Sequence, residues 1–186
     1  MKLQELIQNS KHELDSLNVE DADIKLKILI EYVFKISKEK LILKYKDEIN
    51  DKKVEEFRKL LKKLENGIPI QYIINNQEFM GLNFKVRPGI LIPRPDTEIL
   101  VETIIDTVKN AGFKTSAEVG IGSGCISISL AKYTELECYG TDISSVAVKT
   151  ARENAELNGA ADRTNFYEGD IFVGLPNMKF DIVVSN

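Results

Sequence analysis

Glu118-Val119-Gly120-Ile121-Gly122-Ser123-Gly124-Cys125 puts an acid two residues before the first of three glycines spaced two apart. Such glycines let the main chain turn sharply and let backbone N–H groups approach a ligand, while the helix that follows contributes a positive dipole. In the dinucleotide fingerprint the third glycine stands three residues after the second, but here Gly124 stands two after Gly122. A pyrophosphate beside Glu118 would be repelled, whereas an ammonium would be attracted. The spacing and the acid therefore favour S-adenosylmethionine, which has an amino-acid end and no phosphate. A glycine-rich turn with no ligand is the alternative.

More groups fall at matching places downstream. Asp142 lies 22 residues after Gly120, near the interval at which an acid chelates ribose hydroxyls in such folds. Asp170 can accept from an adenine amine, with Ile171 and Phe172 as apolar cover. A single Asp after a strand is more often an N-cap or loop residue; recurrence at successive strand ends is what favours a ligand site. Cys125 and Cys138 have no metal-ligand spacing, so no metal is expected. Cys125 opens a predicted helix, where a thiolate is favoured, yet it reads as structural. The one histidine, His12, is far from the glycines in sequence and reads as an ordinary surface or core residue.

The elements that would hold these groups alternate. A strand leads into Gly120 and a helix covers 126–131; a strand over 136–141 ends at Asp142, and a helix over 146–157 is closed by Gly159. A strand over 165–168 ends at Gly169-Asp170, and one over 180–184 at Ser185-Asn186. In an open parallel α/β sheet, ligands bind outside the carboxyl ends of the strands, so Gly120, Asp142, Asp170 and Asn186 should converge. Upstream, apolar residues recur at helical spacing: Leu3, Leu6, Ile7 and Leu14; Ile24 to Ile36; Leu41, Ile42 and Tyr45; and Val54, Phe57, Leu60, Leu61 and Leu64 before Gly67. These predict four helices forming a small bundle over 1–67. Residues 68–88 hold two β-prone runs, 70–74 and 82–86, which read as a β-hairpin linker. In Pro93-Arg94-Pro95-Asp96-Thr97-Glu98 the prolines fix an extended approach, and Asp96 or Thr97 is expected to cap the helix that follows.

Composition sets the outer bounds. With 186 residues, 43% hydrophobic and 29% charged, the chain suits a globular protein. A net charge of -4 gives no basic excess for nucleic-acid phosphates, and no apolar run reaches membrane-spanning length. Few cysteines and no signal-peptide core predict a cytoplasmic protein.

Ile68-Pro69-Ile70-Gln71-Tyr72-Ile73, Leu91-Ile92-Pro93-Arg94-Pro95-Asp96-Thr97-Glu98, the glycine loop, Asp142-Ile143-Ser144, residues 154–159 and residues 180–186 together resemble the HemK/PrmC family, the N5-glutamine methyltransferases of peptide-chain release factors. The resemblance implies an α/β fold: a small N-terminal helical bundle, a β-hairpin linker, and over 89–186 the first part of a Rossmann-like class I S-adenosylmethionine-dependent methyltransferase domain. It implies methyl transfer to a release-factor glutamine, a step linked to translation termination. Cofactor contacts would come from Glu118, Gly120, Ile121, Gly122, Ser123, Gly124, Asp142, Ile143, Asp170, Ile171 and Asn186, and substrate contacts from Arg94, Thr97 and Asn186. Asn186, the catalytic residue by this resemblance, would begin the family's Asn-Pro-Pro-Tyr motif and bind the substrate amide.

Two departures are visible: Glu118 stands where many relatives have Asp, and Asn75 where glycine is usual. The resemblance further implies a fragment of impaired or absent activity, since the motif stops at its first residue, with self-association through an exposed strand edge at 180–184. The alternatives are an adenine-N6 or rRNA methyltransferase and a non-catalytic release-factor-binding fragment.

Overall fold

The computed structural model describes the backbone of residues 1–186 and every side chain except those of residues 38 and 39. It divides into two compact units, Met1–Ile74 and Asn75–Asn186.

The first unit is helical: α1 (Leu3–Ser16), α2 (Ala22–Phe34), α3 (Lys38–Leu41), α4 (Asp51–Glu65) and α5 (Ile70–Ile74). Each long helix turns one stripe inward, Leu3, Leu6 and Leu14 from α1, Leu26, Leu29, Ile30 and Val33 from α2, and Phe57, Leu61 and Leu64 from α4. The ends of α4 show why it starts and stops where it does. The Asn50 side chain accepts the Lys52 N–H at 2.8 Å, a side-chain N-cap. Beyond the other end Gly67 takes φ +78, its N–H donates to the Leu64 carbonyl at 3.0 Å, and the Ile68 N–H reaches the Lys63 carbonyl at 3.1 Å. That pair is a Schellman closure, which needs the left-handed residue glycine supplies.

The run 70–74, expected to be β-prone, is instead the helix α5. Pro69 opens it, its carbonyl accepting from Tyr72 and Ile73, and Ile70 and Ile73 enter the helical core. Burial at an i, i+3 spacing outweighs the strand preference of isoleucine. The hairpin consequently lies later, as β1 (Gln77–Phe79) paired antiparallel with β2 (Leu82–Phe84). Its turn, Met80-Gly81, has φ of +52 and +71, the signature of the two-residue turn whose twist matches paired strands. Phe79 and Phe84 bury their rings, 6.1 Å apart and edge-on, in the core of the second unit. Asn75 stands at φ +53, a left-handed position that Asn tolerates better than other side-chain-bearing residues.

After the hairpin come α6 (Asp96–Ala111), β3 (Thr115–Val119), α7 (Cys125–Tyr133), β4 (Glu137–Asp142), α8 (Ser145–Leu157), β5 (Thr164–Glu168) and β6 (Ile182–Val184). Strand order is β5-β4-β3-β6, every pair parallel. Successive strands run β3 to β4 to β5 in one direction, and β6 returns to the other side of β3. The topological switch point therefore lies between β3 and β6. Rows Thr164–Cys138–Ser116–Ile182 and Phe166–Gly140–Glu118–Val184 share one face, against which α7 and α8 pack. Gly140 is glycine for lack of room, since a Cβ there would lie 2.4 Å from the Ile121 Cγ2. On the opposite face of β6, Val183 is 56% exposed. The Asp181 carboxylate fixes the start of β6, accepting the Lys114 and Thr115 N–H groups, each at 2.9 Å; those bonds hold its pKa below the usual range.

One expectation about α6 fails. Pro95, not Asp96 or Thr97, occupies the N-cap, in helical conformation and without a side-chain cap. Asp96 and Glu98 instead enter the first turn, where the helix dipole favours acids. Among the described residues no helix is long and apolar enough to cross a membrane, and no His/Cys/Asp/Glu cluster could hold a metal ion.

Candidate functional site

Four backbone donors of the glycine loop are spent within the protein, three of them on the end of β4. The N–H groups of Gly120 and Ile121 both reach the Thr141 carbonyl, at 2.8 and 3.1 Å, and that of Gly124 reaches the Ile121 carbonyl at 2.7 Å. The Gly122 N–H donates to the Asp142 Oδ2 at 2.9 Å. A phosphate would find none of these four free. The three glycines also differ in purpose. Gly120 and Gly122, at φ +79 and +53, have nothing within 4 Å of where a Cβ would stand, so open space borders them. Gly124 faces inward, where a Cβ would lie 2.9 Å from both the Ala151 Cβ and the Ile128 Cδ1. Ile121 turns its side chain down onto Gly140, and Ser123 is buried. The Gly120–Gly122 edge of the loop is therefore open to border a ligand.

Asp142, at the end of β4, is the loop's main side-chain anchor. Its Oδ2 holds Gly122 and its Oδ1 accepts the Ser144 N–H at 2.9 Å. Each carboxylate oxygen has two lone-pair sites, so one on each remains for a diol. Ile143, 75% exposed, follows it, and at the end of neighbouring β5 stand Asp170, exposed, with Ile171 and Phe172 at 54% and 52%. Two adjacent strand ends thus present carboxylates flanked by open apolar side chains, chemistry suited to a ribose and a flat base. Thr141, completely buried, ties the region together: its carbonyl receives two loop N–H groups and its hydroxyl donates to the Ile171 carbonyl. Nothing in the sequence singles Thr141 out, because its partners are main-chain atoms up to 30 residues away.

Glu118 is turned away from the open space. Only 2% exposed, it accepts the Ser127 N–H at 3.0 Å and the Ser127 hydroxyl, so its charge meets the first turn of α7. Burial pushes its pKa up to about 7, the Ser127 bonds oppose that shift, and the nearby Asp142 charge adds to it. An acid with a higher pKa folded than unfolded holds its proton more tightly in the fold. Its contribution to stability is therefore full below the unfolded value of 4.5 and is lost as pH rises to about 7. Melts at pH 5 and pH 8 should show the parent losing on the order of 3 kcal/mol more than Glu118→Gln. Parallel profiles would return Glu118 to an ordinary pKa. Cys125 is also inert, its thiol pushed up to about 12 by burial and by Glu118.

Asn186 ends the chain just past β6, beside the switch point. Its Nδ2 donates to the hydroxyl of Thr97 at 2.7 Å, and Thr97, on the buried stripe of α6, is 7% exposed. The geometry thus brings together two residues 89 apart, while Arg94 is exposed, its carbonyl accepting the Thr97 N–H at 3.0 Å. Glu98 accepts the Met80 N–H at 2.6 Å, and Tyr133 donates to the Met80 carbonyl at 2.6 Å. Together they clamp the hairpin turn.

Residues 5–74 match the family model described as the PrmC N-terminal domain, and residues 95–186 the one described as ribosomal protein L11 methyltransferase (PrmA). A Dictyoglomus turgidum protein named release factor glutamine methyltransferase is 35% identical over 99% of this chain and 66% of its own length. The chain belongs to the HemK/PrmC family. A member of the same name from Aquifex aeolicus is 39% identical over 86% of this chain and 57% of its own, so the chain spans somewhat less than two thirds of the relatives it matches. A solved Lactobacillus delbrueckii ribosomal protein L11 methylase covers 54% of this chain and 50% of its own, at 29% identity and a TM-score of 0.46. Within the family frame, the short-spaced glycine loop, the two strand-end acids and Asn186 all fall at the carboxyl edge of one parallel sheet.

Proposed function

We propose that this chain binds S-adenosylmethionine across the ends of β3, β4 and β5 and directs its methyl group to the side-chain nitrogen of a glutamine in a peptide-chain release factor. The observation that carries this is Asn186 at the switch point, held by Thr97, next to Ser185, whose hydroxyl donates to the Val119 carbonyl just before the open Gly120. The cradle fits the cofactor: open space borders two left-handed glycines, and their N–H groups are already bonded, which suits a ligand without phosphates. Asp142 receives the ribose hydroxyls on its remaining lone pairs. Ile143, Ile171 and Phe172 cover the base, and Asp170 accepts from its amine.

When bound, S-adenosylmethionine supplies a sulfonium methyl that is electrophilic without an activating base. A glutamine amide nitrogen is a weak nucleophile because its lone pair is delocalised, so the task left to the protein is orientation and charge. With Nδ2 committed to Thr97, the Oδ1 of Asn186 accepts an N–H of the substrate amide, aligns its nitrogen, and favours the positive charge that develops there. No histidine lies in the second unit, and none is needed for this. Incubating the chain with S-adenosylmethionine and a release factor, then mapping the product by mass spectrometry, should place one methyl group on a glutamine. Methylation of adenine in a nucleic acid instead, with the release factor untouched, would overturn the substrate assignment.

A further inference from the structure

Asn154 lies on the apolar stripe of α8, among Val148, Ala151 and Ala155, and none of it is exposed. A polar side chain on such a stripe must be hydrogen-bonded or destabilising, and this one makes three bonds. Its Oδ1 accepts the Lys85 N–H at 2.7 Å, while its Nδ2 donates to the Lys85 carbonyl at 3.0 Å and to the Ser123 carbonyl at 2.9 Å. The amide thus reads both main-chain groups of the segment after β2 and one from the middle of the glycine loop. It does so beside the tightest packing of that loop, where Gly124 rests on Ala151. Glu153, the preceding residue, pairs with Arg87 on the same segment, which leads on to Arg94 and α6.

We infer that Asn154 is a positioning residue: it sets the backbone of Ser123 and Gly124, and through them the open edge of Gly120 and Gly122, against the segment leading from the hairpin to α6. Ser123 is held from one side by Asn154, while Gly122 is held from the other by Asp142. Removing the Asn154 amide frees the Ser123 carbonyl and lets the loop relax toward the space the ligand needs. The role rests on the proposed cofactor site, although its structural half does not.

The C-cap residue of the same helix provides the control. Asn158 donates to the Asn83 carbonyl at 2.9 Å, tying α8 to the hairpin without touching the glycine loop. Asn154→Ala, Asn154→Asp and Asn158→Ala should all lower the melting temperature. Asp keeps the acceptor for Lys85 but sets a carboxylate against two carbonyls, so both Asn154 variants lose the Ser123 bond. In ligand-free protein, amide exchange at Gly122 and Gly124 should quicken about tenfold or more in the two Asn154 variants, with β4 amides and the Asn158 variant close to parent. S-adenosylhomocysteine affinity by calorimetry should fall about tenfold or more in the Asn154 variants and less than about twofold in Asn158→Ala.

Exchange that rises evenly along α8 and β4, or equal losses in Asn154→Ala and Asn158→Ala, would reduce Asn154 to a structural staple. A parent that does not bind S-adenosylhomocysteine would refute the cofactor site, and the exchange pattern would still decide whether Asn154 sets the loop.

Discussion

Asp142→Ala should raise the dissociation constant for S-adenosylhomocysteine by about two orders of magnitude. The loss of a two-oxygen acceptor for ribose hydroxyls accounts for about 2–3 kcal/mol. More follows from the fold, because the same carboxylate holds the Gly122 and Ser144 N–H groups at 2.9 Å each. Without it the loop loses its side-chain anchor at the position bordering the ligand, and α8 loses a contact just before its Ser144 cap. Asp142→Asn separates the two effects. One amide oxygen can still accept from Gly122, so the loop keeps much of its shape, but the paired acceptor for a diol is gone. Calorimetry should therefore rank parent above Asn above Ala. Equal affinity across the three would remove Asp142 from the ligand site.

Gly122→Val should abolish binding while leaving the fold in place. At φ +53 a β-branched residue is strained by about 1–3 kcal/mol, but nothing in the protein lies within 4 Å of the new Cβ. The side chain would instead fill the space proposed for the ligand. Far-ultraviolet circular dichroism should stay near that of the parent, and S-adenosylhomocysteine should give no measurable heat. Gly124→Val is the contrast: its Cβ would press on Ala151 and Ile128 at 2.9 Å, so it should unfold the second unit. If the two variants behave alike, both glycines are structural, and the distinction between an open and a packed glycine fails.

The strands and helices of the second unit were readable in the sequence because each apolar run ends in a turn residue or an acid. Gly120, Asp142, Asp170 and Asn186 are all such ends. Where local preference competed with packing, local preference misled. Residues 70–74 have strand-forming composition, yet two isoleucines three apart entered a helical core. The direction of Glu118 was hidden for another reason. Which face a strand residue takes depends on the register with β4 and β6, and that register puts Glu118 in the row of Gly140 and Val184, under α7. Thr97 and Asn154 left a detectable trace, a polar residue on an apolar helical stripe, which signals a buried hydrogen bond without naming its partner. Thr141 left none, since its role is carried by its main-chain carbonyl and one hydroxyl.

The most direct test of the cofactor site is to titrate the isotopically labelled chain with S-adenosylhomocysteine and, separately, with NAD, following each backbone amide by NMR. The strand-end cradle predicts saturable shifts with S-adenosylhomocysteine at Gly120, Gly122, Asp142, Ile143, Asp170 and Ile171, and none with NAD, whose pyrophosphate meets Gly120, Ile121 and Gly122 N–H groups already bonded to the end of β4. Shifts that saturate with NAD, or S-adenosylhomocysteine shifts that fall elsewhere in the chain, would contradict it.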